Sequence, residues 1–358
     1  MSDLNTLISR RDVVAIVLRQ ALRPAAGAGT PVFPATYAED KARGIAAGYC
    51  ISELGAGRNV CVIDSVQSQA GRIEALLQLP PYRALIRPVA VGIRHRDGTE
   101  QTVDVLAAAH RIFDAVFRFS SLQGEIQAAV RDYSAGRARP LAELAPLALI
   151  CGAWDSRGEK LQLPRAFSSE IVAQDVSVLR RGAQYTASVR AVDIEGLEES
   201  GSVDGLDHVP SQGLGGVIAA RIERRAVLSL VTLRRNARAG EEGDALLRYL
   251  GALALVVLTM PTPPDLRSGC LLLPEGAATL RLQRADGQEE DLALTHEQAL
   301  AFACEAAQAF GVPALAPLLG SFDPKLVKGA NEAKAARKTG KKGAKDGAKA
   351  VEAAGSGE

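Results

Sequence analysis

Several side chains in this chain could do chemistry, and most of them gather at three short junctions. The first is IDSVQSQAGRIEALL, residues 63–77, where Ser65, Gln67, Ser68, Gln69 and Arg72 stand between an apolar strand-like run and an amphipathic helical one. A strand-to-helix turn points free backbone N–H groups outward and attracts anions. The second is Trp154-Asp155-Ser156-Arg157, just past an apolar run, with a ring for stacking and a fork-shaped cation. The third is Gly213-Leu214-Gly215-Gly216, which lets the backbone approach something bulky. Facing one side, they would make a surface of amides, hydroxyls and arginines suited to a sugar-phosphate backbone read without sequence preference. Taken singly, each junction is also explained by helix capping or turn formation.

Familiar enzyme signatures are missing. There is no GxSxG elbow, HExxH pair, Walker loop or paired-cysteine zinc site. A dinucleotide loop at 213–218 fails because Ile218 stands where the third glycine belongs and a strand, not a helix, should follow. His95, His110, His208 and His296 are scattered without metal-ligand spacing, and none lies in the three junctions. Asp64 is the best placed acid, with a capping or turn role the simpler expectation. No cofactor is expected. Of the five cysteines, Cys61, Cys151 and Cys270 lie in apolar runs, which fits a reduced, cytoplasmic protein. The uncharged run 250–264 is broken by prolines and is too short for a membrane helix.

The elements that must position these groups follow from periodicity. Strands are expected over 12–22, 59–64, 83–94, 147–154 and 217–230, near 271–273, and in a hairpin through Asp286-Gly287. Helices are expected over 67–78, capped by Ser65 or Ser68, and over 104–117, 122–133, 244–255 and 295–310. Two stretches, about 24–57 and 164–206, lack a single period and read as insertions. Together these elements predict an α+β body over 1–323. Residues 324–358 carry nine cations against four acids, a net of +5, in Ala/Gly/Lys repeats that predict a disordered tail. The body holds a net of −4, and its cations are all Arg except Lys41 and Lys160. GC-rich codon usage also favours Arg, so position must decide which arginines matter.

Four motifs in order, SVQSQAGRIEALL at 65–77, GAWDSRG at 152–158, RAFSSEIVA at 165–173, and GLDHVP then GLGGV within 205–217, resemble the backbone subunit of the type I-G (formerly I-U) CRISPR Cascade complex, of the RAMP superfamily. The family's S-x-Q-S-x-A-N-R-x-E segment is matched by Ser65, Gln67, Ser68, Ala70, Arg72 and Glu74, with Gly71 where Asn is common. Its WDS-x-G element is matched at Trp154, Asp155, Ser156 and Gly158. The resemblance spans about residues 10 to 320. It implies an RRM-like (ferredoxin-like) palm with finger and thumb insertions. It implies a non-catalytic subunit that lies in many head-to-tail copies along one crRNA and presents it for pairing with target DNA, beside other Cascade subunits and a separate helicase-nuclease. Ser65, Gln67, Ser68 and Arg72 would hold phosphates and 2′-hydroxyls, and Glu74 would orient Arg72 or pair with it. Arg23, Lys41, Arg43, Trp154, Ser156, Arg157, Arg165, Ser168, Gly215 and Gly216 complete the expected RNA contacts. The other reading is a RAMP-type endoribonuclease, with Asp40 or Asp155 as the suspects; a metabolic enzyme with a small-molecule site is a third.

Overall fold

The computed structural model describes residues 2–183, 211–237, 243–261 and 263–332. Four strands and the helices packed on them organise the chain. Strand β1 (Val13–Pro24) is β-branched and alternates inward and outward, with Val13, Ile16, Leu18 and Leu22 buried. It is joined to strand β2 (Phe167–Ala183) through helix α1 (Val66–Leu77) and a set of further strands and helices. Strand β3 (Ser211–Ser229) pairs antiparallel with β2. Helix α2 (Gly243–Thr259) then leads to strand β4 (Thr279–Arg284), and helix α3 (His296–Phe310) follows. The four strands lie in the order β4-β1-β3-β2, all antiparallel. The body is α+β as expected, and that order, with a helix-bearing connection on either side of the β2–β3 pair, is compatible with the ferredoxin-like palm that the resemblance implied.

Further strands widen the sheet to nine. Arg58–Asp64 pairs with β2 and Ile51–Gly55 forms the edge beyond it, while Cys270–Pro274 pairs with the end of β1. The helices cover one face. There Phe167, Ala226 and Leu228 of β2 and β3 meet α2, whose residues 252–258 are all fully buried. A run apolar on every side can be solvated nowhere and belongs inside the body. The opposite face carries Arg23 of β1, Ser168 of β2 and Val227 of β3. Among the described residues, no helix is long and apolar enough to cross a membrane.

Several sequence expectations are corrected. The apolar run over 147–154 is a helix, Pro146–Cys151, ending in a two-residue strand, Ala153–Trp154. Its period cannot separate a buried helix from a buried strand, and the proline at its first turn favours the helix. The stretch 83–94 is a strand only over Val89–Arg94, with a 3-10 turn at Tyr82–Leu85. The region 104–117 is the end of a strand, Glu100–Asp104, then a 3-10 turn and the four-residue helix Ala115–Arg118. The insertion placed at 164–206 begins too early, since 167–183 is a central strand; 184–206 lies outside the described residues. The tail does not lose structure at once, because residues 324–332 are helical; the rest of it lies outside the described residues.

Candidate nucleic-acid interface

The first junction turns inward. Ser65 caps α1, its side chain accepting from the Ser68 N–H at 3.3 Å, as the sequence predicts. Asp64, fully buried, closes the strand before it. Its carboxylate accepts from Ser68 Oγ at 2.9 Å, Gln69 Nε2 at 2.7 Å, Arg72 Nε at 3.0 Å and Arg267 at 2.7 Å. Arg72 also donates to the Leu266 carbonyl at 2.6 Å, and Arg267 to the Ile63 carbonyl at 2.9 Å. Gln69 accepts from Ser169, whose hydroxyl also accepts from the buried Arg224, and Arg224 donates to the Met260 carbonyl at the end of α2. Ser68 and Arg72 do share a helix face, but it is the face that clamps α1 to the sheet. Both side chains are engaged within the fold, and Arg72 remains 23% exposed.

Glu74 does not meet Arg72 or solvent. It is buried and forms an ion pair with Arg111, whose Nε lies 2.5 Å from Glu74 Oε1. Burial pushes the Glu74 carboxyl above its ordinary value, and the guanidinium beside it opposes that shift. Arg111 also donates to the Gly152 carbonyl at 2.8 Å. Its φ of 53° lies in the left-handed region, a conformation that costs a non-glycine residue about 1–2 kcal/mol and that the pair holds in place. Through Arg111, the motif on α1 is tied to the start of GAWDSRG.

That second motif turns outward. At Gly152, with φ of 77°, a Cβ would lie 3.1 Å from the Arg165 nitrogen and the Leu163 carbonyl oxygen, so the chain crosses itself there only without a side chain. Ala153–Trp154 then pairs with Gln162–Leu163. Asp155 accepts from the N–H groups of Gly158 and Glu159, each at 2.7 Å, and of Arg157 at 3.3 Å. The Asp155 side chain thus organises the loop, and a Cβ at Gly158 would meet it at 2.4 Å. Asp40, the other suspected acid, is likewise engaged with Arg43 at 3.3 Å.

The result is a cleft of about 680 Å³. It brings together five of the expected contacts, Gln67, Trp154, Ser156, Arg157 and Arg165, and adds His110, Phe113 and Arg118. Among the described residues, no Asp or Glu lines it. Trp154 is 64% exposed there. Arg118 stacks 4.8 Å from the centre of the Phe119 ring, and Arg165 donates to the Cys151 carbonyl at 3.2 Å. Among the described residues, Arg118, Arg157 and Arg165 have no carboxylate partner within 4.0 Å. The cleft can therefore hold a polyanion with its cations unspent and a ring ready to stack. His110 lies in the segment whose fold the periodicity misreads and Arg118 just past it, and no motif marked them.

The other expected contacts lie elsewhere. Ser168 and Arg23 are on the sheet face away from the helices. Lys41 and Arg43 are exposed in the 24–57 insertion beside Glu39 and Asp40, at 3.8 and 3.3 Å. Gly215 and Gly216 are buried: a Cβ would lie 2.7 Å from the Arg180 backbone at Gly215 and 2.8 Å from the Val32 carbonyl at Gly216. Gly215 admits the backbone of β2, and Gly216 admits that of the 24–57 insertion, which bridges Val32 to Val217. The Cys61 and Cys151 thiols are held up at about 12 and Cys270 at about 11 by burial, so none is a thiolate nucleophile at neutral pH.

No curated protein matches the chain in sequence. A chain of a solved structure described as "CRISPR RNA-guided surveillance complex, pre-nicking" is similar over 83% of this chain and 87% of its own length, at 13% identity and a TM-score of 0.32. Residues 16–178, which contain α1, the Trp154 loop and most of β2, match the family model described as CRISPR-associated protein GSU0053.

Proposed function

We propose that this chain is a non-catalytic, Cascade-type CRISPR subunit that holds guide RNA by its sugar-phosphate backbone in the Trp154 cleft. The observation that carries the reading is the cleft itself. Among the described residues, it has three arginines without acid partners, an exposed indole and no carboxylate in its lining. Phosphates would lie on Arg118, Arg157 and Arg165, and a base would stack on Trp154. Such contacts position a strand and carry no sequence information, so specificity would come from pairing between guide and target DNA. The match over 16–178 to a CRISPR-associated family supports the same role. In it, further copies of the chain would lie head to tail along the guide, with the type I-G complex as the setting, other subunits at its ends and cutting left to a separate helicase-nuclease. A heterologous contact of that kind repeats without closing, so the RNA would set the filament's length.

Trp154 is the chain's only tryptophan, which makes the test direct. Titration with single-stranded RNA should quench the intrinsic indole emission. Trp154→Ala should weaken binding by about 1–3 kcal/mol, the usual worth of one base stacked on an aromatic ring. RNA binding that leaves the emission unchanged would remove the cleft from the interface.

A further inference from the structure

A second, smaller cleft of about 160 Å³ opens beside the first, on the other side of the Trp154–Gly158 loop. Its floor is apolar and buried: Ile112, Ile126 and Val130. Its rim includes Gln123 and Gln127, one turn apart on the helix Gln123–Ser134, so both amides sit over the same opening. Phe113, Arg118 and Arg157 line both clefts and form the wall between them. Two acids also border it. The Asp155 carboxylate is taken up by backbone N–H groups, and Glu159 lies 3.8 Å from Arg131.

We infer that this cleft receives one nucleobase unstacked from the strand lying in the Trp154 cleft. The inference rests on the function proposed above, and the shared wall is its main support. A phosphate held between Arg118 and Arg157 leaves its nucleotide free to turn either way, toward Trp154 or over Phe113 into the second cleft. An apolar floor beneath a rim of two amides matches a base, which has two apolar faces and a polar edge. A phosphate would find no cation at the floor, and an aliphatic ligand would leave the amides unmet. Each carboxamide carries both a donor and an acceptor, so Gln123 and Gln127 can meet the polar edge of any base, in keeping with a guide held without sequence preference.

The test uses a short oligouridylate with one central 2-aminopurine, whose emission reports stacking separately from Trp154. Two variants fill the cleft from its rim, Gln127→Phe and Gln123→Phe. In the parent protein, binding should change both signals. In either variant the Trp154 quenching should persist while at least half of the 2-aminopurine change is lost, and affinity should fall by up to about tenfold. Persistent Trp154 quenching with an undiminished 2-aminopurine change in both variants would overturn the base pocket and leave the first cleft standing. Absence of Trp154 quenching in the parent would overturn the cleft reading, and this inference with it.

Discussion

The α1 junction and the Trp154 cleft are built from similar side chains and do opposite things. Both hold arginines, a hydroxyl and an amide near a turn. At the junction, Arg72 and Arg267 converge on Asp64, which is fully buried. At the cleft, Arg118, Arg157 and Arg165 face a lining without acids. The difference is one carboxylate and where it sits. A cation beside a buried acid serves the fold, because separating the two strands a charge in low dielectric. A cation without such a partner keeps its hydrogen bonds for whatever arrives.

The largest effect that would sharpen this comparison lies at Asp64. Asp64→Asn removes the charge that two guanidiniums share, and should cost about 3–5 kcal/mol of folding stability in a urea melt. A loss under about 1 kcal/mol would mean that the junction's arginines are not committed to the fold. Glu74→Gln comes next. It leaves Arg111 buried without its counter-charge and should cost about 3 kcal/mol. It should also alter the cleft, because Arg111 holds the Gly152 carbonyl. A shifted Trp154 emission maximum in the folded variant would register that coupling, and an unshifted one would uncouple the two motifs. Arg157→Ala is the smallest in stability, within about 0.5 kcal/mol at an exposed loop position.

Much of the fold is legible in the sequence because its periods are clean. The alternation of β1, the amphipathic face of α1 with Ile73 and Leu77 buried, and the helix expected over 295–310, observed as α3, all fall where local chemistry puts them. Failures come where period and length conflict. Residues 146–151 are apolar all round and could be strand or helix; residues 104–118 are too short and irregular for any period. The candidate site is half legible for a related reason. Residue type and junction location pick out Trp154, Ser156 and Arg157, and the family resemblance adds Arg165; the structure places all four in the lining of one cleft. Residue type and location cannot show that Ser68 and Arg72 point at Asp64, since the second arginine of that cluster, Arg267, comes from 203 residues further along the chain. Nor can they show that Gly215 makes room for the Arg180 backbone and Gly216 for Val32.

The most direct test of the account is the salt dependence of single-stranded RNA binding in three proteins: the parent, Arg72→Ala, and the triple variant Arg118→Ala/Arg157→Ala/Arg165→Ala. Each phosphate contact contributes roughly 0.7 to the slope of log affinity against log salt for a single strand. The triple variant should flatten the slope by about 2. Arg72→Ala should lose stability yet keep the parent's slope. A slope that falls with Arg72→Ala and holds in the triple variant would place the RNA at the α1 junction and contradict the account.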